Sequence, residues 1–406
     1  MHNAKLVPVV PDRCVERLTR SLSRHPQSRA DAQARLAAGI GGPALTVSLD
    51  TVVRMNPHPP EFHINRPGAL IAALPAVLGF APEKSLVLVS LEDGRMGAVL
   101  RADLSAELTG NIGRLAEVAA ASGAQTVVAV VVDADGALCP MCNDEYRQLC
   151  EALTEALRDH DIGVYAAHVV DRVEAGGSWH CVDDCGVRGV VEDPRASPLA
   201  AAAVLDGRRL YARRSDLQAV VSVTDVTRTA GLAGLISECS PRRDADWKAD
   251  PDGCGRRDVE NVLDAAERVY AGADLGDAEI AKIACGLTDV AVRDTLYALA
   301  VGARAGQAET LWAVLSRTLP DRWRVEALAL LAFSAYARGD GPLAGLSLEA
   351  ALRIDPDHRM AGMLDTALQS GMRPDQIREL AGTSYRLAKR LGVTLPPRQV
   401  FGQRAG

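Results

Sequence analysis

The chain has 406 residues, enough for two domains and a sizeable core. Its 48% hydrophobic and 24% charged content is ordinary for a soluble globular protein, while aromatics make up only 4%. A formal net charge of −7 gives no electrostatic footprint for nucleic acid, and no stretch reaches the roughly 18–20 apolar residues that cross a bilayer. The expectation is a cytoplasmic protein without nucleic-acid or membrane partners, and nine cysteines without framework spacing suit reduced thiols.

In chain order, residues 1–54 read as a flexible N-terminal extension with one possible short helix, Ala30 to Ala38, and Met55 is a possible alternative start. Residues 55–210 read as an α/β domain. Its first segment, RPGALIAALPAVLGFAPEKS, predicts an apolar helix broken at Pro75. Ser85 to Leu91 and Arg95 to Leu104 predict strands joined by a tight turn, and Ser105 to Ser122 an amphipathic helix. Gln125 to Val132, QTVVAVVV, has the β-branched run of a strand buried on both faces. Asp144 to His160 predicts a helix, and Ile162 to Asp171 and Ser178 to Val182 two further strands, giving an α/β domain with a mixed sheet.

Residues 211–256 read as a helical connector whose polar stretch, Ser237 to Arg257, predicts an exposed loop. Residues 257–388 read as an all-α domain with helices near 258–270, 277–304, 307–319, 323–338, 342–354 and 358–370, another from Pro374, and a disordered tail over 389–406. Pro320 and Pro356 lie 36 residues apart, close to the tetratricopeptide period of about 34. On that register Leu328, Ala332, Gly339, Ala344, Leu348 and Ala351 fall where a helical hairpin needs its small and apolar residues. Tetratricopeptide-like hairpins stack to build a binding surface, so the expected function is a non-catalytic scaffold that binds a protein or peptide through the helical domain. No cofactor is expected.

The competing class is an enzyme whose site lies at the carboxyl edge of the sheet, floored by Asp133, Asp135 and the Cys139–Cys142 loop. Cys139-Pro-Met-Cys142 looks similar to the CPxC of glutaredoxins and lies just before a helix, where a thiolate is stabilised. That position predicts modest alkylation reactivity without useful turnover, because exchange also needs a docking surface. A zinc site of Cys139, Cys142, Cys181 and Cys185, with His180 as substitute, has plausible spacings. Against it, the return strand 178–182 would carry Cys181 and Cys185 to the opposite sheet edge, and a strand of about seven residues spans roughly 23 Å. Asp183 and Asp184 beside His180 alternate faces and read as a solvated loop, and the Arg208–Arg209 and Arg213–Arg214 pairs read as a solvated face rather than a site for an anionic partner. Trp312, Trp323, Phe333 and Tyr336 read as core packing. Phosphate-binding glycine loops and the GxSxG nucleophile elbow are absent from the sequence.

Three blocks in order, RPGALIAALPAVLGFAPEKSLVLVSL (66–91), GSWHCVDDCG (177–186) and VRDTLYALA (292–300) to ARGDGPLAGLSLEAALRIDPDHRMAGML (337–364), resemble the actinobacterial family known as domain of unknown function 4192. The resemblance covers roughly residues 60–385. It implies no catalytic residue. The family's tryptophan-rich strand before a cysteine-bearing loop is reduced here to Trp179 with Cys181 and Cys185, and the N-terminal extension and the Cys139–Cys142 pair depart from the family pattern.

Overall fold

A computed structural model describes residues 66–399 except 93–94, 206–207, 371 and 373. The expectations for residues 1–54 and for Met55 lie outside the described residues, as does the end of the C-terminal tail beyond residue 399. The chain divides into two compact units. The first holds the described residues up to Leu74 and then Pro82–Ser197; the second holds Pro75–Ala81 and the chain from Pro198.

The first unit is built on one six-stranded mixed sheet. Its strands are β1 (Ser85–Glu92), β2 (Arg95–Asp103), β3 (Thr126–Val132), β4 (Gly163–Val170), β5 (Ser178–Cys181) and β6 (Arg188–Val190), in the order β2-β1-β3-β4-β5-β6. β3 and β4 are parallel, and every other neighbouring pair is antiparallel. β3 sits in the interior of the sheet, and Val127 through Val132 are all buried, which is why its sequence is a continuous apolar run rather than an alternation. The helices are α1 (Pro67–Leu78), which belongs to this unit as far as Leu74, α2 (Ile112–Ala121) and α3 (Pro140–Arg158). α3 crosses from β3 to β4 and packs on α2 and β4, burying Tyr146, Cys150, Leu153 and Leu157 at helical spacing.

α1 runs through Pro75 instead of breaking there. The proline forfeits one backbone hydrogen bond, but Leu74, Val77 and Leu78 are each 0% exposed, and that burial offsets the loss. The helix stops at Gly79, whose φ of 80° is a left-handed conformation that favours glycine.

From Pro198 onward the chain is all helical: α4 (Pro198–Leu205), α5 (Arg214–Gln218), α6 (Val226–Ala249), α7 (Pro251–Tyr270), α8 (Asp277–Leu287), α9 (Val290–Leu296), α10 (Ala305–Thr318), α11 (Asp321–Arg338), α12 (Gly341–Ile354), α13 (Arg359–Gln369) and α14 (Pro374–Leu391). α11 is the centre of this unit. Every residue from Ala327 to Ala337 is buried, so the helix is apolar on all sides, and α10, α12, α13 and α14 pack around it. α11 and α12 meet at Gly339, which takes φ 88°, and Asp340 caps α12 by accepting a hydrogen bond from Leu343 N–H at 3.2 Å. Trp312, Phe333 and Tyr336 are core residues, and Leu348 is 0% exposed.

Three expectations need correcting here. The polar stretch 237–257 is helix rather than loop, formed by the end of α6 and the start of α7. Its arginines, lysine and glutamate have good helix propensity, and Asp250 caps α7 by accepting from Gly253 N–H at 2.9 Å, with Pro251 at the first helical position. The single helix over 277–304 is instead α8, α9 and a 3₁₀ turn, because Asp289 caps a new helix by accepting from Ala291 N–H at 2.8 Å. The expected disordered tail is folded as far as residue 399: Pro397 accepts from Ala303 N–H at 2.9 Å, and Gln399 N–H donates to Val301 at 2.8 Å. Among the described residues no helix is long and apolar enough to cross a membrane.

Candidate functional site

The carboxyl edge of β3 is where chemistry-bearing side chains converge. β1 runs antiparallel to β3 with Ser85 opposite Val132, so Lys84 falls beside Asp133. Lys84 Nζ lies 2.8 Å from Asp133 Oδ1 and 2.9 Å from Asp135 Oδ2. Tyr146 of α3 donates its hydroxyl to Asp133 Oδ2 at 2.6 Å, and Asp135 N–H donates to Oδ1 at 3.1 Å. Lys84 itself takes φ 44°, a conformation uncommon for a side-chain-bearing residue.

This arrangement keeps a buried carboxylate charged. Burial alone pushes the Asp133 carboxyl up, but hydrogen bonds from Lys84, Tyr146 and the backbone of Asp135 and Gly136 outweigh it and hold the group below the ordinary carboxylate range. The Tyr146 phenol is pushed up, first by burial and then by its bond to Asp133. The loop closes over the carboxylate only because residue 136 is glycine: a Cβ there would overlap the Tyr146 hydroxyl.

The same loop delivers the two cysteines. Cys139 is the N-cap of α3, with extended φ −86° and ψ 119°, and Pro140 occupies the first helical position. Asn143 steadies the turn, donating its side-chain amide to the carbonyls of Ala137 and Cys139 at 3.0 and 2.9 Å. The backbone N–H of Cys142, the Cys142 thiol and the N–H of Met141 face the Cys139 sulfur and lower its pKa. Cys142 is shifted the other way, raised by its thiol's bond to Cys139, then by burial and by the charges of Glu145 and Asp133. Both cysteines are partly exposed. Leu138, just before the pair, and Met141, between the two cysteines, are 83% and 73% exposed, large apolar side chains presented to solvent.

β5 approaches this loop from the other side. His180 Nε2 lies 3.0 Å from the Ala137 carbonyl, and Nδ1 lies 3.1 Å from that of Cys181. A neutral imidazole can donate to only one of them. The separation expected between the two cysteine pairs therefore fails at its premise. β5 has only four residues and pairs Val170 with Trp179, Val169 with His180 and His168 with Cys181, so it ends near the edge where β4 finishes. Cys181 and Cys185 nonetheless form a pair of their own: burial first, then the neighbouring Cys185 thiol, push the Cys181 pKa up to about 12. Asp183 and Asp184 are exposed, and Asp184 makes the turn with φ 50°. Among the described residues, no three His, Cys, Asp or Glu side chains converge as metal ligands.

His168, directly across from Cys181, is a buried histidine that sequence reading passed over. It is 7% exposed, Nδ1 has no partner, and its ring meets Trp179 edge-on at 5.1 Å. Burial first, then the nearby His180, lower its pKa to about 4. Nothing in its local sequence marked it, since only the β4–β5 pairing buries it. Lys84 was equally illegible, because the β1–β3 register that sets it beside Asp133 is a tertiary fact.

In the helical unit an open cleft of about 450 Å³ is lined by Asp252, Ala291, Leu387, Arg390 and Leu391. It holds no nucleophile or paired acid and base, so the β3 edge is the better candidate.

No curated protein and no solved structure matches the chain. The family model described as domain of unknown function (DUF4192) matches residues 67–375, which takes in the whole sheet and all the helices up to the start of α14. The chain, an α/β unit with a six-stranded mixed sheet followed by an all-helical unit, belongs to that family.

Proposed function

We propose that the Cys139–Cys142 pair is a thiol–disulfide exchange site acting on a protein disulfide. The observation that carries this reading is the asymmetry of the pair at the N-terminus of α3, one thiol lowered and its partner raised, with two exposed apolar residues, Leu138 and Met141, in the same turn of chain. The Cys139 thiolate attacks one sulfur of the substrate disulfide, forming a mixed disulfide and releasing the other sulfur as a thiolate. Cys142 then loses its proton and attacks the Cys139 sulfur. The Cys139–Cys142 disulfide forms, the second substrate thiol leaves, and two electrons have passed to the substrate. Asp133, Lys84 and Tyr146 hold the loop that presents the pair.

The partner in this reading docks on Leu138 and Met141, not on the helical domain. A helical repeat binds through an exposed apolar face. α11, at the centre of the helical unit, is buried from Ala327 to Ala337 and presents no such face along that stretch.

The test is alkylation of each cysteine against pH, read by peptide mass, alongside reduction of a protein disulfide such as that of insulin. Cys139 should titrate below the roughly 8.5 of a free thiol. Cys139→Ser should abolish turnover, and Cys142→Ser should trap a mixed disulfide. Equal reactivity of the two thiols with midpoints near that of free cysteine, and no turnover, would discard the reading.

A further inference from the structure

α6 is long but lightly anchored. Of its 24 residues only Leu232 and Ile236 are buried, and none from Ser237 to Ala249 is. Pro241 lies in its interior and removes one backbone hydrogen bond at the point where the buried half ends. What holds the helix beyond Ile236 is polar. Arg243 pairs with Asp258 of α7 and with Asp289, each at 2.9 Å. The other attachment is sulfur. Cys285, on α8 and 2% exposed, places its Sγ 3.6 Å from the Ile236 carbonyl and 3.4 Å from Ser240 Oγ. Its sulfur therefore lies over the single turn of α6 that carries Cys239, and the Cys239 side chain is near enough to raise the Cys285 pKa. Cys239 is half-buried and open to a small oxidant. The remaining nearby thiol, Cys254, faces Arg243 O and Asp258 Oδ2 at 4.0 Å each.

We propose that Cys239 and Cys285 are an oxidative modification site: a peroxide converts them to a disulfide that staples α6 to α8. The Cys239 sulfur attacks one peroxide oxygen, the O–O bond breaks, and a sulfenic acid and water form. Cys285 loses its proton and attacks the Cys239 sulfur, the S–O bond breaks, and a second water leaves. Two thiols and one hydrogen peroxide thus give one disulfide and two waters. Burial, partly offset by the Ser240 hydroxyl, holds the Cys285 thiol up at about 11, so closure of the bond speeds up as pH rises. The staple ties the turn of α6 just before Pro241 to α8. Reduction releases it. This site is separate from Cys139 and Cys142 and does not depend on how that pair functions.

The experiment uses the full chain carrying Cys139→Ser and Cys142→Ser, exposed to a stoichiometric amount of hydrogen peroxide. The intact mass should fall by about 2 Da, and a peptide map should join the Cys239 and Cys285 peptides. The thermal midpoint should rise by about 5 °C or more and return on treatment with a phosphine reductant. Cys239→Ser in the same background should lose both the link and the shift while matching the reduced parent. The same map on the unsubstituted chain reads the link independently should the doubly substituted chain fold poorly. Sulfinic acid at Cys239 without a link, a link from either residue to Cys254 instead, or a correct link that leaves the midpoint unmoved would each overturn the proposal.

Discussion

His168 and Asp133 are both buried ionisable residues of the α/β unit, and their environments treat charge in opposite ways. His168 has no partner for Nδ1 and a pKa lowered to about 4, so the fold holds it neutral. Unfolding returns the ring to its ordinary pKa near 6.5. Between those values the unfolded chain binds the extra proton, so stability falls as pH drops from about 6.5 toward 4, by roughly 3 kcal/mol for this residue. His168→Phe should flatten that part of a urea-denaturation series against pH; an unchanged slope would mean the ring is protonated in the folded state. Asp133 shows the converse sign. Its lowered carboxyl contributes stability above the ordinary carboxylate range and loses it as pH falls through the lower folded value. Gly136 sets the geometry around it. Gly136→Ala should cost about 1–3 kcal/mol, since the added methyl must displace the Tyr146 hydroxyl from Asp133. A loss of less than 0.5 kcal/mol would show that the loop can move aside freely.

At the scale of elements, the periodic signals were the readable ones. β3 announced itself by β-branched residues, and the α11–α12 junction by Gly339 at a left-handed turn. Leu348 on α12 was expected inside and is 0% exposed. Leu348→Ala should therefore cost about 2–5 kcal/mol as a cavity in denaturant unfolding; below about 1 kcal/mol, the neighbouring helices must collapse into the space. The polar stretch 237–257 misled because Pro241, Pro251 and its charges carry a loop's composition. Capping by Asp250 and the Arg243 ion pairs turned it into helix instead. The zinc argument failed over strand placement. β5 pairs only with the last residues of β4 and so leaves His180 against Ala137, a contact that composition does not encode.

For the molecule as a whole, elemental analysis of the purified protein should find no stoichiometric zinc, because among the described residues no three potential ligands converge. One zinc per chain, lost in Cys181→Ser, would show that the β5 loop rearranges to bind metal. Some of this molecule could be read from its residues alone: a mixed sheet followed by helices, the family, and the Cys139–Cys142 pair before a helix. Those signals are local, carried by hydrophobic period, turn residues and spacing within about 20 positions. Tertiary structure decided what depends on pairing between distant segments. The β1–β3 register brought Lys84 to Asp133, and the β4–β5 register buried His168 opposite Cys181. The packing of α6 on α8 laid Cys285 over the turn that carries Cys239. Residues far apart in the chain meet only when strands choose partners and helices choose faces, and that choice belongs to the whole buried surface rather than to any one stretch of sequence.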